Sequence, residues 1–482
     1  MTQCYRFIVI HCEGGVKMKN RFINKLNDTT KPNVMDWVIV LVIIVFCYFS
    51  FNHPDLNATS THGKDLVLCI LEGKFFSFYD YTQSTAVYSI VLYLAFAIWS
   101  LPVMLIYKIF DLTLWGLLDY GMIPYPVLMW YKLLPTLFFI GISVVIYRIV
   151  KYIGLNNNTA KWISFLFVSS PIAIFSQFIF GQYDSIGIFF AVLGLYYFLQ
   201  KKHYLFSICM SVAITFKMFS FFIFLPLVLL FEKRFLHIIK HLLIGISLYA
   251  VTTLMFMGSK GYRDAMAFSG GMAQRLFLVG IPSHFGTISL FPLVMIAICV
   301  YAYVFKFRDD YDYITRTLYI SFAAFAALFS FILWHPQWVI YLCVFMSLAI
   351  ILSPNSNASL IIEAFMGVGY IATTILSFAN NVDANLMSLG AFKRIYEKKF
   401  TVSPTLSVFF SKINIGNNLF FSLFTCSLIV LSVFYLISLS DKRKEHNTLA
   451  TKNYIAGDRL YILARPISLL IYIVPSFYLL LK

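Results

Sequence analysis

The sequence predicts an all-α protein, a polytopic bundle of about 11 to 14 membrane-spanning segments. Of the 482 residues, 60% are hydrophobic and only 12% are charged, a balance far from that of a soluble domain. Apolar runs of about 18 or more residues recur along the whole chain, and each is long enough to cross a hydrocarbon core of roughly 30 Å. No polar stretch is long enough to predict a separate soluble domain.

Charge and cysteine content exclude two further classes. The net charge of +16 is expected to decorate cytoplasmic loops and contact anionic headgroups of the lipid bilayer, so we predict no nucleic-acid binding. The eight cysteines include no CxxC pair. Five of them fall in apolar runs, where small packing residues are the simplest interpretation: Cys47, Cys209, Cys299, Cys343 and Cys426.

The chain divides into three predicted regions: a basic cytoplasmic tail (1–32), a transmembrane domain (33–440), and a basic cytoplasmic loop with a last transmembrane helix (441–482). The tail has no signal-peptide pattern. The first span begins near Trp37. The later apolar stretches lie at roughly 88–107, 127–147, 162–180, 185–200, 204–230, 236–257, 287–305, 317–333, 338–353, 359–379, 418–439 and 463–481.

Simple alternation of these spans would place several basic clusters outside, against the positive-inside rule. Stretch 204–230 resolves part of the conflict, because Lys217 lies at its middle and Pro226 near its end. We therefore predict that this stretch is broken or doubles back, and that the 88–126 region also returns to its starting face. The loops at 52–84, 181–184, 258–286, 334–337 and 380–417 then share the external face, and the N-terminus is cytoplasmic.

The first of these loops carries Asp55 and His62 directly after a span. A carboxylate there can act as a general base on an acceptor hydroxyl or bind a cation. His62 is a candidate for substrate binding, with His53 a weaker one. The alternative is an interfacial loop in which Asp55 caps a short helix running to Gly73.

The tetrad Gly181-Gln182-Tyr183-Asp184 separates two apolar runs. Ionisable groups at membrane depth are costly and are kept mainly for function, so Asp184 is a candidate catalytic residue and Gln182 a candidate substrate ligand. Asp184 could instead cap the next helix. Lys217 could pair with Asp184 or Asp55, grip a phosphate, or extend to a membrane face.

A second short polar segment between two apolar runs lies late in the chain, Trp334-His335-Pro336-Gln337-Trp338. Pro336 should break the helix so that His335 can point into a cavity and contact a phosphate leaving group. Gln337 and Trp338 join it as candidate substrate ligands, although paired tryptophans are also typical of an interfacial belt. The 258–286 loop carries a basic group suited to a lipid phosphate, made of Lys260, Arg263, Arg275 and His284. We take Arg275 as its candidate phosphate ligand, and a solvated external loop is the alternative.

These motifs, in this order, resemble the GT-C superfamily of polytopic glycosyltransferases, which use polyprenyl-phosphate or dolichyl-phosphate sugars. The similarity covers roughly residues 33–400. It is greatest to bacterial members whose motif reads Gly-Gln-x-Asp, which are related to eukaryotic mannosyl- and glucosyltransferases. Its elements are Ser170-Pro171, Phe180-Gly181-Gln182-Tyr183-Asp184-Ser185, Leu195-Tyr196-Tyr197, Lys201-Lys202, Phe216-Lys217-Met218-Phe219, Pro226-Leu227, Glu232-Lys233-Arg234 and His335-Pro336-Gln337-Trp338.

The resemblance implies a GT-C-like fold and an inverting transfer of a sugar to a glycan or lipid-linked acceptor. Asp55 occupies the position of the family's acidic residue in the first external loop, often its catalytic base. Lys217 and His335 would stabilise the departing phosphate. No Asp-Asp or Asp-x-Asp pair occurs in this loop, so we assign no metal ligand. A requirement for a divalent cation such as Mg²⁺ or Mn²⁺ stays an open question at this point. A composition rich in Phe, Ile, Lys and Asn is typical of an AT-rich bacterial genome, so we expect the membrane to be a bacterial plasma membrane.

Two alternatives stay open. A lipid-linked oligosaccharide flippase or other transporter could use Asp184 and Lys217 as a gated ion pair. A polysaccharide polymerase would also transfer sugars but from an undecaprenyl-pyrophosphate glycan donor.

Overall fold

The structure is a computed structural model, which describes residues 31–114, 123–378, 382, 384–392, 406–411, 416–441 and 458–481. Several predicted features lie outside these residues. They include most of the basic tail (1–32), most of the 380–417 loop and the basic residues of 442–457.

The described chain is almost entirely helical. Its α-helices are α1 (Val34–Ser50), α2 (Pro54–Leu71), α3 (Phe78–Tyr81), α4 (Ile90–Ile109), α5 (Tyr125–Tyr152), α6 (Asn157–Val168), α7 (Pro171–Ile174), α8 (Asp184–Leu199), α9 (His203–Phe216), α10 (Phe221–Phe231), α11 (Phe235–Phe256), α12 (Lys260–Ala273), α13 (Leu290–Val304), α14 (Asp310–Phe331), α15 (Ile340–Ala349), α16 (Ser356–Ser377), α17 (Leu406–Ser411), α18 (Asn417–Asp441), α19 (Arg459–Ala464) and α20 (Leu470–Leu481).

Shorter elements join them. Single turns of tighter helix cover Phe75–Ser77, Met218–Ser220, Gln274–Phe277, Pro336–Val339, Ile350–Leu352, Ala384–Leu389 and Arg465–Leu469, and a π-helical turn covers Phe175–Phe180. The described residues contain one antiparallel hairpin, of β1 (Gly280–Ser283) and β2 (Gly286–Ser289).

The prediction of an all-α, multi-pass membrane protein is confirmed at this level. In the described part of the chain, seven helices are long and apolar enough to cross a membrane, or up to nine if each of two bent helix pairs counts as one span. Five shorter apolar helices of 10–17 residues accompany them. The number of about 11 to 14 segments and the GT-C-like topology stay predictions.

The predicted break in stretch 204–230 is present. Helix α9 ends at Phe216, and the next residue, Lys217, has an extended backbone with φ −157° and ψ 120°. One turn of tighter helix, Met218–Ser220, then leads into α10. The break places the lysine between two helices rather than in the middle of a continuous one. Non-helical backbone at membrane depth needs protein or a cavity around it.

Two regions predicted as loops are more ordered than expected. Residues 54–71 form α2, which bends from α1 by 67°, so Asp55 lies in the first turn of a helix. The alternative of a helix in this region is therefore correct, but His53 rather than Asp55 caps it. Pro54 accounts for the start of this helix. Proline lacks a backbone N–H, and the N–H of the first helical residue has no partner within the helix, so nothing is lost there. The 258–286 region contains α12 and the hairpin rather than an irregular loop.

The last described segment packs into the main core. Arg465 is fully buried and pairs with Glu363 of α16, and it also donates to the Ser169 hydroxyl over 2.8 Å. Arg459 pairs with Asp36 of α1 over 2.8 Å. These contacts attach the 459–465 part of the last segment to α1, to the end of α6 and to α16. Nothing in them tests the predicted boundary at residue 441.

Candidate active site

Asp55 and Gln182, 127 residues apart in sequence, form a direct hydrogen bond. The Gln182 amide donates from Nε2 to Oδ2 of Asp55 over 2.9 Å. The Asp55 side chain keeps 43% of its surface exposed, whereas Gln182 is buried. A buried amide therefore orients the carboxylate while part of it stays open to a substrate, as a general base requires.

His53 fixes the start of α2. Its Nδ1 accepts a hydrogen bond from the Asp55 backbone N–H over 3.1 Å. Its ring stacks on Phe180, with centroids 3.7 Å apart. Because Phe180 immediately precedes the Gly181 tetrad, this stacking joins the Asp55 turn to the segment that supplies Gln182.

The tetrad follows an irregular helix end. The π-helical turn Phe175–Phe180 is a conformation often found at functional sites. Gly181 then adopts a φ of 73°, which favours glycine. A Cβ at this position would also lie 3.2 Å from Cε of Lys132. The tetrad thus turns sharply enough to direct Gln182 and Asp184 into the same region.

Lys132 is a buried cation that the sequence analysis did not single out. Its ammonium donates to three backbone carbonyls, those of Tyr48, Phe51 and Phe178, over 2.8, 2.5 and 2.7 Å. One side chain thereby ties together the two segments that lead to Asp55 and to Gln182. The signal was visible, since Lys132 interrupts the apolar stretch 127–147 and a bare ammonium is costly there.

Asp184 and Lys217 form an ion pair, with Nζ 3.1 Å from Oδ1. Their side chains are 3% and 10% exposed, for Asp184 and Lys217 respectively. Asp184 is the first residue of α8, and its side chain does not cap that helix. The pairing predicted as one of several roles for Lys217 is therefore present, and the capping role of Asp184 is wrong, because its carboxylate faces the lysine instead.

Aromatic rings surround the Lys217 ammonium. It lies 5.0 to 5.9 Å from the centroids of four rings, those of Tyr88, Tyr183, Phe219 and Trp338. Such rings attract a desolvated cation by about 2 kcal/mol or more. Lys217 is thus held by one carboxylate and several ring faces, and only 10% of its side chain is exposed.

A cavity of about 290 Å³ opens beside Lys217. Thr215, Ser269 and Arg275 add polar groups to its wall. The Arg275 guanidinium lies 5.9 Å from the centroid of Trp338, which also lines the cavity. Most of the remaining lining is apolar or aromatic, including Val87, Phe216, Met218, Phe222, Met266 and Phe268. Apolar walls with two cations suit an amphiphile that has an anionic group.

The charges of Arg275 and Lys217 act on the His335 imidazole. Burial and the charges of Arg275 and Lys217 lower the pKa of His335 to about 4. The imidazole is therefore neutral at pH 7, and it can donate one hydrogen bond and accept another. If His335 contacts a leaving phosphate, it does so as a neutral donor and adds no positive charge.

Several buried polar atoms of these segments have no hydrogen-bond partner among the described residues. They are Nε2 of His335, Oε1 of Gln337, Oε1 of Gln182, Nε1 of Trp334 and Nη1 of Arg275. Buried polar groups of this kind are few in folded proteins. These atoms come from three of the predicted site segments, and a bound polar ligand would supply the hydrogen-bond partners that they lack.

Not all predicted residues gather at this point. His62 is buried in α2 near Asp65, Thr85 and Tyr93, and it is not part of the described cavity lining. Asp80, another acid of this region, accepts a hydrogen bond from the Gly261 backbone N–H over 2.6 Å. This contact ties α12 to α3.

Helices α8 and α14 have predicted site residues at one end and exposed charged residues at the other. Lys201 pairs with Asp310 over 2.7 Å, and Lys233 donates to the Ala302 carbonyl over 2.8 Å. Helices α8 and α14 join this end to Asp184 and to the His335 segment. At 1.5 Å per residue they separate the two ends by roughly 24 and 33 Å. Asp184 and the His335 segment therefore lie at the helix ends remote from Lys201 and Asp310, and their placement on one membrane face stays a prediction.

Among the described residues, no group of three or more His, Cys, Asp or Glu side chains is arranged to hold a metal ion. Participation of Mg²⁺ or Mn²⁺ stays an untested prediction. Known families give no further assignment, because no family model matches the chain and no curated protein is significantly similar to it.

Proposed function

We propose that this protein is an integral-membrane glycosyltransferase that moves a sugar from a polyprenyl-phosphate donor to a glycan or lipid-linked acceptor. The observation that carries the proposal is that one short segment holds both groups: Gln182 donates a hydrogen bond to the half-exposed carboxylate of Asp55 over 2.9 Å, and Asp184, two residues later, pairs with Lys217 over 3.1 Å. Lys217 in turn lines the apolar cavity together with Arg275. A base for the acceptor and cations for a lipid phosphate are thus available together.

In this mechanism Asp55 removes the proton from the acceptor hydroxyl as its oxygen attacks C1 of the sugar. The bond between C1 and the phosphate oxygen breaks, and the lipid phosphate leaves with the bonding electrons, so the configuration at C1 inverts. Lys217 and Arg275 stabilise the charge on the departing phosphate, an electrostatic contribution that is usually the largest in catalysis. The exposed part of Asp55 then releases its proton to water.

The deciding experiment uses purified protein in lipid nanodiscs with a radiolabelled polyprenyl-phosphate sugar and an acceptor mixture. We expect label in a covalent glycan product and release of unlabelled polyprenyl phosphate. A transporter would instead move intact donor across a vesicle membrane without new covalent product. That second function is favoured only by the buried Asp184–Lys217 pair, since buried ion pairs mark transport pathways as well as sites.

Replacing Arg275 by Met is expected to weaken binding of polyprenyl phosphate by roughly tenfold, the loss expected for one charge-assisted contact. Arg275 is the suitable residue because no described carboxylate pairs with it and its Nη1 is without a partner among described groups. Arg263→Met is the matched control, since Arg263 is exposed and donates to the carbonyls of Met257 and Gly258. Equal affinities for both variants would remove Arg275 from the donor site.

We also propose that the face carrying the site is external and that the membrane is a bacterial plasma membrane. A cysteine in place of Asp264, exposed on α12, should react with an impermeant maleimide in intact cells. A cysteine in place of Asp310, whose side chain is 79% exposed at the opposite end, should react only after lysis. The reverse pattern would invert the orientation.

A further inference from the structure

The hairpin between α12 and α13 carries an apolar surface that no described residue covers. Ile281 of β1 and Ile288 of β2 are directly paired and are 54% and 50% exposed. Phe285, in the turn, is 99% exposed. Phe277 and Leu278, just before the hairpin, are also exposed. Exposed apolar patches of this kind on a membrane protein need a partner or a lipid environment.

The sequence of this region contains no ionisable carboxylate, lysine or arginine. From Leu276 to Phe305 there are 30 residues without Asp, Glu, Lys or Arg. A surface that faced water would be expected to carry some of these residues, as the exposed part of α12 does with Arg263 and Asp264. The charge-free run therefore indicates that the hairpin and α13 share one apolar environment.

Helix α13 is too short to cross a membrane alone. Its 15 residues give about 22 Å at 1.5 Å per residue, against a hydrocarbon core of roughly 30 Å. Its exposed stripe runs through Leu293, Ile296, Val300 and Val304, at the spacing of one helix face. The hairpin continues from the first residue of this helix and could supply the missing apolar length.

The hairpin is firmly attached to that helix end. Leu290 N–H, at the start of α13, donates to the Val279 carbonyl over 3.0 Å. The Ser289 hydroxyl donates to the Phe277 carbonyl over 2.9 Å. Phe291 packs edge-to-face on Phe222, which lines the cavity. The position of the hairpin is therefore coupled to the wall of the cavity.

We infer that this hairpin is a membrane anchor, which inserts Ile281, Phe285 and Ile288 into the interfacial layer of the bilayer on the face that carries Asp55. The surface that covers it is the lipid itself, because the patch continues the exposed apolar stripe of α13 and the whole run from Leu276 to Phe305 lacks Asp, Glu, Lys and Arg. Apolar and aromatic side chains at this level bind the boundary between headgroups and acyl chains. The inference depends on membrane insertion and not on the proposed glycosyl transfer.

A nitroxide spin label tests the inference without disturbing the core. Phe285→Cys removes a side chain that has almost no protein contacts, and Asp264→Cys on α12 is the matched exposed control. Both proteins are labelled in nanodiscs, with the labelled wild-type chain subtracted as background for its native cysteines. Collisions with oxygen and with a water-soluble nickel chelate are then measured by electron paramagnetic resonance.

We expect the label at 285 to collide severalfold more with oxygen than with the nickel chelate, and the label at 264 to show the opposite preference. A label at 285 that is as accessible to nickel as the one at 264 would overturn the inference. Protection from both reagents at 285 would also overturn it, since a protein surface such as a second copy would then cover the hairpin.

Discussion

Asp55→Asn is expected to reduce glycosyl transfer by about 10² to 10⁴, the usual contribution of a general base. The substitution keeps the shape of the side chain, and the Asn carbonyl can still accept the hydrogen bond from Gln182 that now reaches Oδ2 of Asp55. Folding and donor binding should therefore be nearly unchanged, because only the ability to take a proton is lost. Initial rates of transfer, measured beside donor affinity, separate the two effects.

Asp80→Asn provides the control for this variant. Asp80 is an acid of the same region, but its carboxylate accepts a backbone hydrogen bond from Gly261, a role that an Asn oxygen can retain. Transfer by Asp80→Asn should stay close to that of the wild type. Full activity of Asp55→Asn would move the base elsewhere, with Asp184 as the next candidate, and an equal loss in both variants would indicate a general effect of removing negative charge.

The membrane class and the pairing of Asp184 with Lys217 could be predicted from sequence because they depend on strong local signals. Composition and apolar run length are sufficient for an all-α, multi-pass protein. The cost of an ionisable group at membrane depth identified Asp184 and Lys217 without any alignment. The break at Lys217 followed from the same reasoning, since 204–230 is too long and too interrupted for one straight span.

What the sequence could not provide is which polar groups meet. The contact between Asp55 and Gln182 depends on a 67° bend between α1 and α2 and on a π-helical turn, neither of which has a periodic signature. Lys132 is a second example of contacts that only the fold determines. Its cost was visible in the sequence, but its three carbonyl partners come from chain segments that only the fold brings together.

The loops gave the least reliable predictions. Residues 54–71 are rich in hydroxyl and polar side chains, which suggested a loop, yet they form a helix whose polar groups are mostly buried against protein. Tertiary contacts thus override a weak local preference. His62 was selected for its neighbours in sequence, and the helix turns it toward Asp65 and Tyr93 instead.

The Asp184–Lys217 pair should separate stability from donor binding. Lys217→Met leaves the buried Asp184 carboxylate without its counter-charge, and breaking a buried pair in this way costs about 3–5 kcal/mol. We expect a clear fall in the thermal midpoint of this variant. Adding Asp184→Asn removes the stranded charge, so the double variant should recover most of the lost stability, as buried pairs replaced together often do.

Donor affinity should behave differently in the same three proteins. If Lys217 also contacts the donor phosphate, its loss weakens polyprenyl-phosphate binding by about tenfold to a hundredfold, equivalent to 1.5–3 kcal/mol, and the double variant cannot restore it. Lys233→Met is the control, because Lys233 donates to carbonyls at the opposite end of the helices. Thermal unfolding and lipid-phosphate titration in nanodiscs give both quantities. A double variant that regains both stability and affinity would make Lys217 a purely structural partner of Asp184, and a stable single variant with unaltered affinity would exclude both roles.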